Sequence, residues 1–191
     1  MGPEVSAKTA ILKWVVSSTR RRLFANEAIP VQKRLQHGRM LALSKGLFQA
    51  GAWPRLSTAQ EMKVYNAYMG LLRAVSGDTI VSAAAPHASD ADVIDKLSTM
   101  APLVFIRMLR ALPFARVVCH APPVLLQWLS LEAKLRHGWL AVTFDGLKWL
   151  ASASETLASL REASLAQWST FSAMVELKRV GRLSRLATSL R

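Results

Sequence analysis

Apolar positions along this chain of 191 residues recur at helical spacing, and no stretch shows the two-residue alternation of a strand. The pattern is densest between Arg39 and Gly77. Leu41, Leu43, Leu47 and Phe48, flanked by Met40 and Ala50, give a helix a broad apolar face. Gly51 and Trp53-Pro54 end it, because a residue before proline is pushed out of the α region. Ser57 and Gln60 fit a capping box that opens the next helix. Met62, Tyr65, Met69, Leu72 and Val75 mark the buried face of that helix; Tyr68, Leu71 and Ala74 widen it, and Gly77 stops it. So short a connection predicts a helical hairpin.

The flanks read the same way. Val5 to Phe24 predicts a first helix with Ile11, Leu12, Val15 and Val16 on its apolar patch and Trp14 widening it. Arg20, Arg21 and Arg22 fall near its end, where cations complement the helix dipole. After a loop over Asn26 to Pro30, with Pro30 in the first helical turn, Val31 and Leu35 face inward. Lys33, Arg34, His37 and Arg39 line the polar side, and Gly38 weakens or kinks the helix. Asp78 to Ser89, rich in small residues and broken by Pro86, marks the expected boundary. It separates a helical region over 1–77 from one over 90–191, with packing of the two as a single unit left open. Ser89 caps a helix carrying Asp90, Asp92 and Asp95 early and Val93, Ile94 and Leu97 inside.

Pro102 opens another helix, with Leu103, Ile106, Leu109 and Leu112 inward and Arg107 and Arg110 outward, until Pro113 interrupts or ends it. Pro122-Pro123 is a corner. Val124 to Gly138 follows with Leu125, Leu126, Trp128, Leu129, Leu131 and Leu135, and then the Trp-rich run Trp139 to Leu150. These read as core or a packed helix pair; an aromatic platform for stacking bases is the sharper alternative. The chain closes with helical patterning from Ser152, ending in Leu177, Val180, Leu183, Leu186 and Leu190 opposite Lys178, Arg179, Arg182 and Arg185. The predicted fold is therefore all-α: an irregular multi-helix bundle of short helices around a helical hairpin, with no significant sheet.

Charge adds a partner class. Lys and Arg number 25 against 12 Asp and Glu, a formal net charge of +13. Such an excess points to a polyanion, nucleic acid first, with a basic face that only solvates the protein as the plain alternative. The candidate phosphate contacts are Arg20, Arg21, Arg22, Lys33, Arg34 and Arg39. An acidic membrane surface, met by the basic terminal helix, is the second partner class. Cys119 is the lone cysteine, which excludes an internal disulfide and suits a reducing, nuclear or cytoplasmic setting. No apolar run nears the roughly 20 residues of a membrane span. The basic start with Ser and Thr has the look of a transit peptide, but Glu4 argues against one.

Little chemistry is legible. His37, His87, His120 and His137 sit on separate segments, and Cys119-His120 lacks an orienting third group. Asp90 and Asp92 do not share a helix face, so they read as a charged helix start. No glycine-rich phosphate loop or dinucleotide fingerprint occurs. No catalytic residue, metal, cofactor or small-molecule substrate is expected.

One resemblance is more specific. Arg20-Arg21-Arg22 and the loop after it lead into a helix of the form L-x-x-S-x-x-L-x-x-A-x-x-W at Leu41, Ser44, Leu47, Ala50 and Trp53. A polar turn and a second helix follow, ending near Arg73. Downstream come Asp92-Val93, Leu97, Ala101-Pro102, Ile106-Arg107, Arg110, Ala121-Pro122-Pro123 and Asp145-x-x-x-Trp149-Leu150. In order and spacing, Arg20 to Leu150 resembles the region after the polymerase palm in reverse transcriptases of non-LTR retrotransposons. The resemblance implies a thumb, helices that grip the template–primer duplex by its phosphates with little sequence readout. It also implies a departure. The Tyr-x-Asp-Asp turn that holds two magnesium ions in that family is missing, as are fingers and palm. The expectation is a detached, non-catalytic C-terminal part: a truncated element, a gene model opening at an internal methionine, or a remnant. Its partners would be RNA or DNA duplex, and the missing palm and fingers polypeptide or a second copy.

Overall fold

A computed structural model describes residues 2–48, 50–78, 88–132 and 138–153, and the fold is all-α: every regular element among the described residues is helical. The chain divides into two compact units, Met1–Phe48 with Leu56–Leu103, and Gln49–Arg55 with Val104–Arg191.

The first unit opens with α1 (Gly2–Thr19), which buries the narrow stripe Val5, Thr9, Leu12 and Val15. Trp14 does not widen that stripe; it is 58% exposed. The hydroxyls of Ser17, Ser18 and Thr19 all donate back to carbonyls of the preceding turn, with Val15 accepting two of them. Such back-bonding loosens the α ladder. The helix then widens into a π-turn, Arg20–Phe24, closed by the Ala25 N–H on the Arg20 carbonyl at 2.8 Å. Pro30 lies just outside α2 (Val31–Leu41), not in its first turn, and its carbonyl accepts from the N–H groups of Lys33 and Arg34.

Gly38 was expected to weaken or kink α2, yet it is buried within the helix and serves packing. A Cβ there would press on Phe24, Leu71 and Val75 at 3.3–3.4 Å, so glycine sets how closely α2 lies on α3 (Thr58–Ser76). The helix expected to run on toward Ala50 instead breaks into a second π-turn, Ala42–Gly46, and a 3-10 turn, Ala50–Ala52. At Gly46 an added Cβ would collide with the Leu12 side chain. Only glycine lets this turn lie so close to α1.

The capping box forms as the sequence predicts: the Gln60 N–H donates to Ser57 Oγ, and the Ser57 N–H donates to Gln60 Oε1. Gly77 ends α3 in the left-handed region at φ 82°. Most of the expected face of α3 is buried: Met69, Leu72 and Val75, with Tyr68, Leu71 and Ala74 widening it. Val64 and Ala67 are buried in addition, while Met62 is exposed and Tyr65 half-buried. The buried face is this broad because α3 packs against both α1 and α2.

α4 (Asp90–Lys96) has its own box, Ser89 with Asp92, and buries Val93 and Leu97. It packs on α3, so the compact units do not part at the expected 78–89 boundary. The physical reason is Arg73. Its guanidinium donates to Asp78 at 3.0 Å, the Ala88 carbonyl at 2.9 Å and Asp90 at 2.6 Å, joining both ends of the connection. Residues 79–87, with Pro86 and His87, lie outside the described residues. α4 ends with Ser98 and Thr99 N–H groups on the carbonyls of Asp95 and Ile94, a Schellman pattern that holds Ser98 at φ 46°.

The second unit takes in α5 (Pro102–His120) from Val104 on, α6 (Pro123–Glu132) and α7 (Trp139–Ala153). Its core holds Ile106, Phe114, Leu129, Leu140, Val142 and Leu147. Three expectations change. α5 runs through Pro113. Arg110, expected outward, is buried beside the Pro54 carbonyl. On α6, Leu129 is buried, but Val124, Leu125, Trp128 and Leu131 are exposed. The corner at Pro122-Pro123 falls where the sequence places it. The side chains of Leu112 and Leu126, all of Leu135, and 154–191 with the basic terminal stretch lie outside what is described.

Candidate nucleic-acid interface

The candidate site is built around the first π-turn. Phe24 at its end is fully buried, whereas Arg20, Arg21 and Arg22 are exposed. A wide turn on a buried aromatic anchor thus fans consecutive guanidinium groups into solvent. Neither Arg21 nor Arg22 joins an ion pair among the described residues. Lys33 lies exposed on the first turns of α2.

Arg34 and Arg39 are not on the polar surface, which corrects the expected basic face. Arg34 is buried and donates to the Phe24 carbonyl at 2.5 Å. It ties α2 to the end of the arginine turn. Arg39 is half-buried, donating to Thr99 Oγ1 and hydrogen-bonded to the Tyr68 hydroxyl. Burial pushes the Tyr68 pKa above its ordinary 10.0, and the Arg39 charge offsets part of that rise. The Nε groups of Arg34 and Arg39 are buried without a hydrogen-bond partner. Arg34 positions the site without fronting it, while the half-buried Arg39, held by Thr99, keeps an edge on the groove beside α2.

A groove of about 440 Å³ runs beside α2. Gln32, Lys33, Gln36 and Arg39 supply its polar lining, and Leu35, Met40 and Leu43 its apolar one. Amides and a lysine along a shallow trough suit phosphate and sugar oxygens. The His37 Nδ1–H donates to the Lys33 carbonyl at 2.7 Å, since a carbonyl can only accept.

The Trp-rich run reads as packing. Trp139 donates Nε1–H to the Gly51 carbonyl at 2.7 Å, and Phe144 meets Phe114 edge-on with centroids 5.7 Å apart. Trp149 lies under the Arg107 guanidinium at 4.9 Å. Exposed aromatic surface lies on Trp128 of α6 and, in the first unit, on Trp14 and Phe48, which sequence reasoning had placed on apolar helix faces.

Asp90 is engaged by Arg73 and by the Tyr65 hydroxyl at 2.9 Å. Burial and this bond raise the Tyr65 pKa above 10.0, against the opposing pull of Arg73. Among the described residues no group of His, Cys, Asp and Glu side chains could hold a metal ion, and no helix is long and apolar enough to cross a membrane. His137 lies outside the described residues, as do the side chains of Cys119 and His120. Comparisons with protein-family models, curated proteins and solved structures give no match to this chain.

Proposed function

We propose that this chain is a non-catalytic, thumb-like helical module of the retroelement reverse-transcriptase type, gripping the sugar–phosphate backbone of a duplex without reading its sequence. The observation that carries the reading is the exposed Arg20-Arg21-Arg22 turn, anchored from beneath by Phe24 and Arg34 and followed by exposed Lys33. Arginine forks match phosphate oxygens bidentately, and a turn already held in place loses little freedom on binding. The resemblance over Arg20 to Leu150 supplies the class. Leu47, Ala50 and Trp53 of the shared motif are buried, consistent with a packing role for that pattern.

Duplex affinity measured across salt concentrations tests this. The logarithm of the binding constant should fall with log salt at a slope near −0.9 per phosphate contacted. Arg21→Ala and Arg22→Ala should each flatten the slope by roughly one contact and weaken scrambled duplexes equally. A flat response, or no binding at low salt, ends the proposal.

A further inference from the structure

Two large aromatic rings of the first unit face solvent, and each carries a lysine. The Lys45 ammonium lies 5.1 Å from the Trp14 ring centre, and Lys8 lies 5.6 Å from that of Phe48. Trp14 is 58% and Phe48 55% exposed. Both pairs straddle the seam where the second π-turn lies on α1, and Gly46 permits that close approach. Lys8 and Trp14 are six residues apart on α1, about 9 Å along the helix axis and about 120° around it. Arg21 follows Trp14 by seven residues, the last two in the π-turn, so the arginine turn comes about 10 Å further along the same helix.

We propose that Trp14 and Phe48 form a stacking platform for the bases of a single strand, placed beside the arginine turn so that an unpaired overhang is held next to the duplex. This rests on the backbone-binding reading and adds to it the class of nucleic acid preferred. Exposed rings interleaved with lysines fit a polyanion with flat faces: each base stacks on a ring, and each displaced ammonium turns to a phosphate. The exchange is favourable, because a surface cation–π contact is weaker than a base stacked on an aromatic ring. Stacking accepts any base, in keeping with binding that reads no sequence.

The test compares two duplexes that differ only in a single-stranded extension, one of thymidines and one of abasic nucleotides of equal length. The phosphate count is then the same and only the bases differ. By fluorescence anisotropy, the full chain should bind the thymidine extension on the order of tenfold tighter. Trp14→Ala and Phe48→Ala should each lower that ratio, and together bring it near one, leaving the abasic duplex bound as before. Trp14→Phe should keep most of the preference, and Lys45→Gln should weaken both duplexes alike. A wild-type ratio near one, or a ratio that survives the double substitution, overturns the platform while the backbone reading stands. Substitutions that change the oligomeric state in light scattering but not the ratio assign this face to a second copy of the chain, which also overturns it. If neither duplex binds, the backbone reading fails as well.

Discussion

Arg34 separates a structural arginine from a binding one. Replacing it with Met keeps a long apolar stem but removes the donor to the Phe24 carbonyl, a contact of 2.5 Å beneath a fully buried ring. A hydrogen bond from a charged group contributes about 1.5–3 kcal/mol. Part of that is recovered, because the Arg34 Nε is buried without a partner and its desolvation cost disappears with the guanidinium. The net loss should be about 1–2 kcal/mol, or roughly 5–15 °C in the melting temperature of a unit of this size. Circular dichroism melts measure it. The same variant in the salt titration should keep the wild-type slope, because Arg34 meets no phosphate. Arg22→Ala should do the opposite, leaving the melt unchanged and flattening the slope. An Arg34→Met protein with an unchanged melt and a slope shallower by about 0.9 would mean that Arg34 is a phosphate contact after all.

Tyr68 makes stability depend on alkaline pH. Its pKa is raised in the fold, so its contribution is complete below 10.0 and is lost as pH climbs through the raised value. Urea midpoints across that range should fall for the wild type and fall less for Tyr68→Phe; parallel curves would refute the assignment. Ser98 holds φ 46° at the end of α4, where glycine carries no steric cost. Ser98→Gly should therefore raise stability by up to about 1 kcal/mol, and a lower melting temperature would count against the Schellman geometry. Gly46→Ala should cost about 1–3 kcal/mol through the clash with Leu12. It should also weaken the proposed platform by lifting the turn that carries Lys45 off α1. An unchanged melt would show that the turn does not lie so close.

Local rules with a defined hydrogen-bond partner carried over directly from sequence to structure. Ser57 with Gln60, the Ser89 cap, the stop at Gly77 and the Pro122-Pro123 corner each involve residues at most a few positions apart. The π-turns did not carry over, because nothing in helical periodicity marks a widened turn. The Ser17-Ser18-Thr19 run and Gly46 acquire meaning only once their partners, the preceding carbonyls and Leu12, are known. The exposed face of α6 was equally opaque: an apolar run has the same periodicity whether or not something covers it.

The direction of each arginine was the least legible feature, for a definite physical reason. Lys33 and Arg34 are neighbours on one helix, yet one faces solvent and the other is buried. What draws Arg34 inward is a carbonyl 10 residues away, and what draws Arg39 is a hydroxyl 60 residues away. Neither acceptor can be located from helix spacing alone. The long apolar stems of arginine make the inward course favourable on a helix with few other groups to bury. Charge counting therefore overstates the binding surface. Of the six cations that the sequence nominates, Arg20, Arg21, Arg22 and Lys33 face solvent, so their contribution to the salt slope should be close to −3.6, not the −5.4 or so of all six. A slope near the larger value would require Arg34 and Arg39 to leave their internal partners on binding. The melting temperature of the complex would then report the loss of those two anchors.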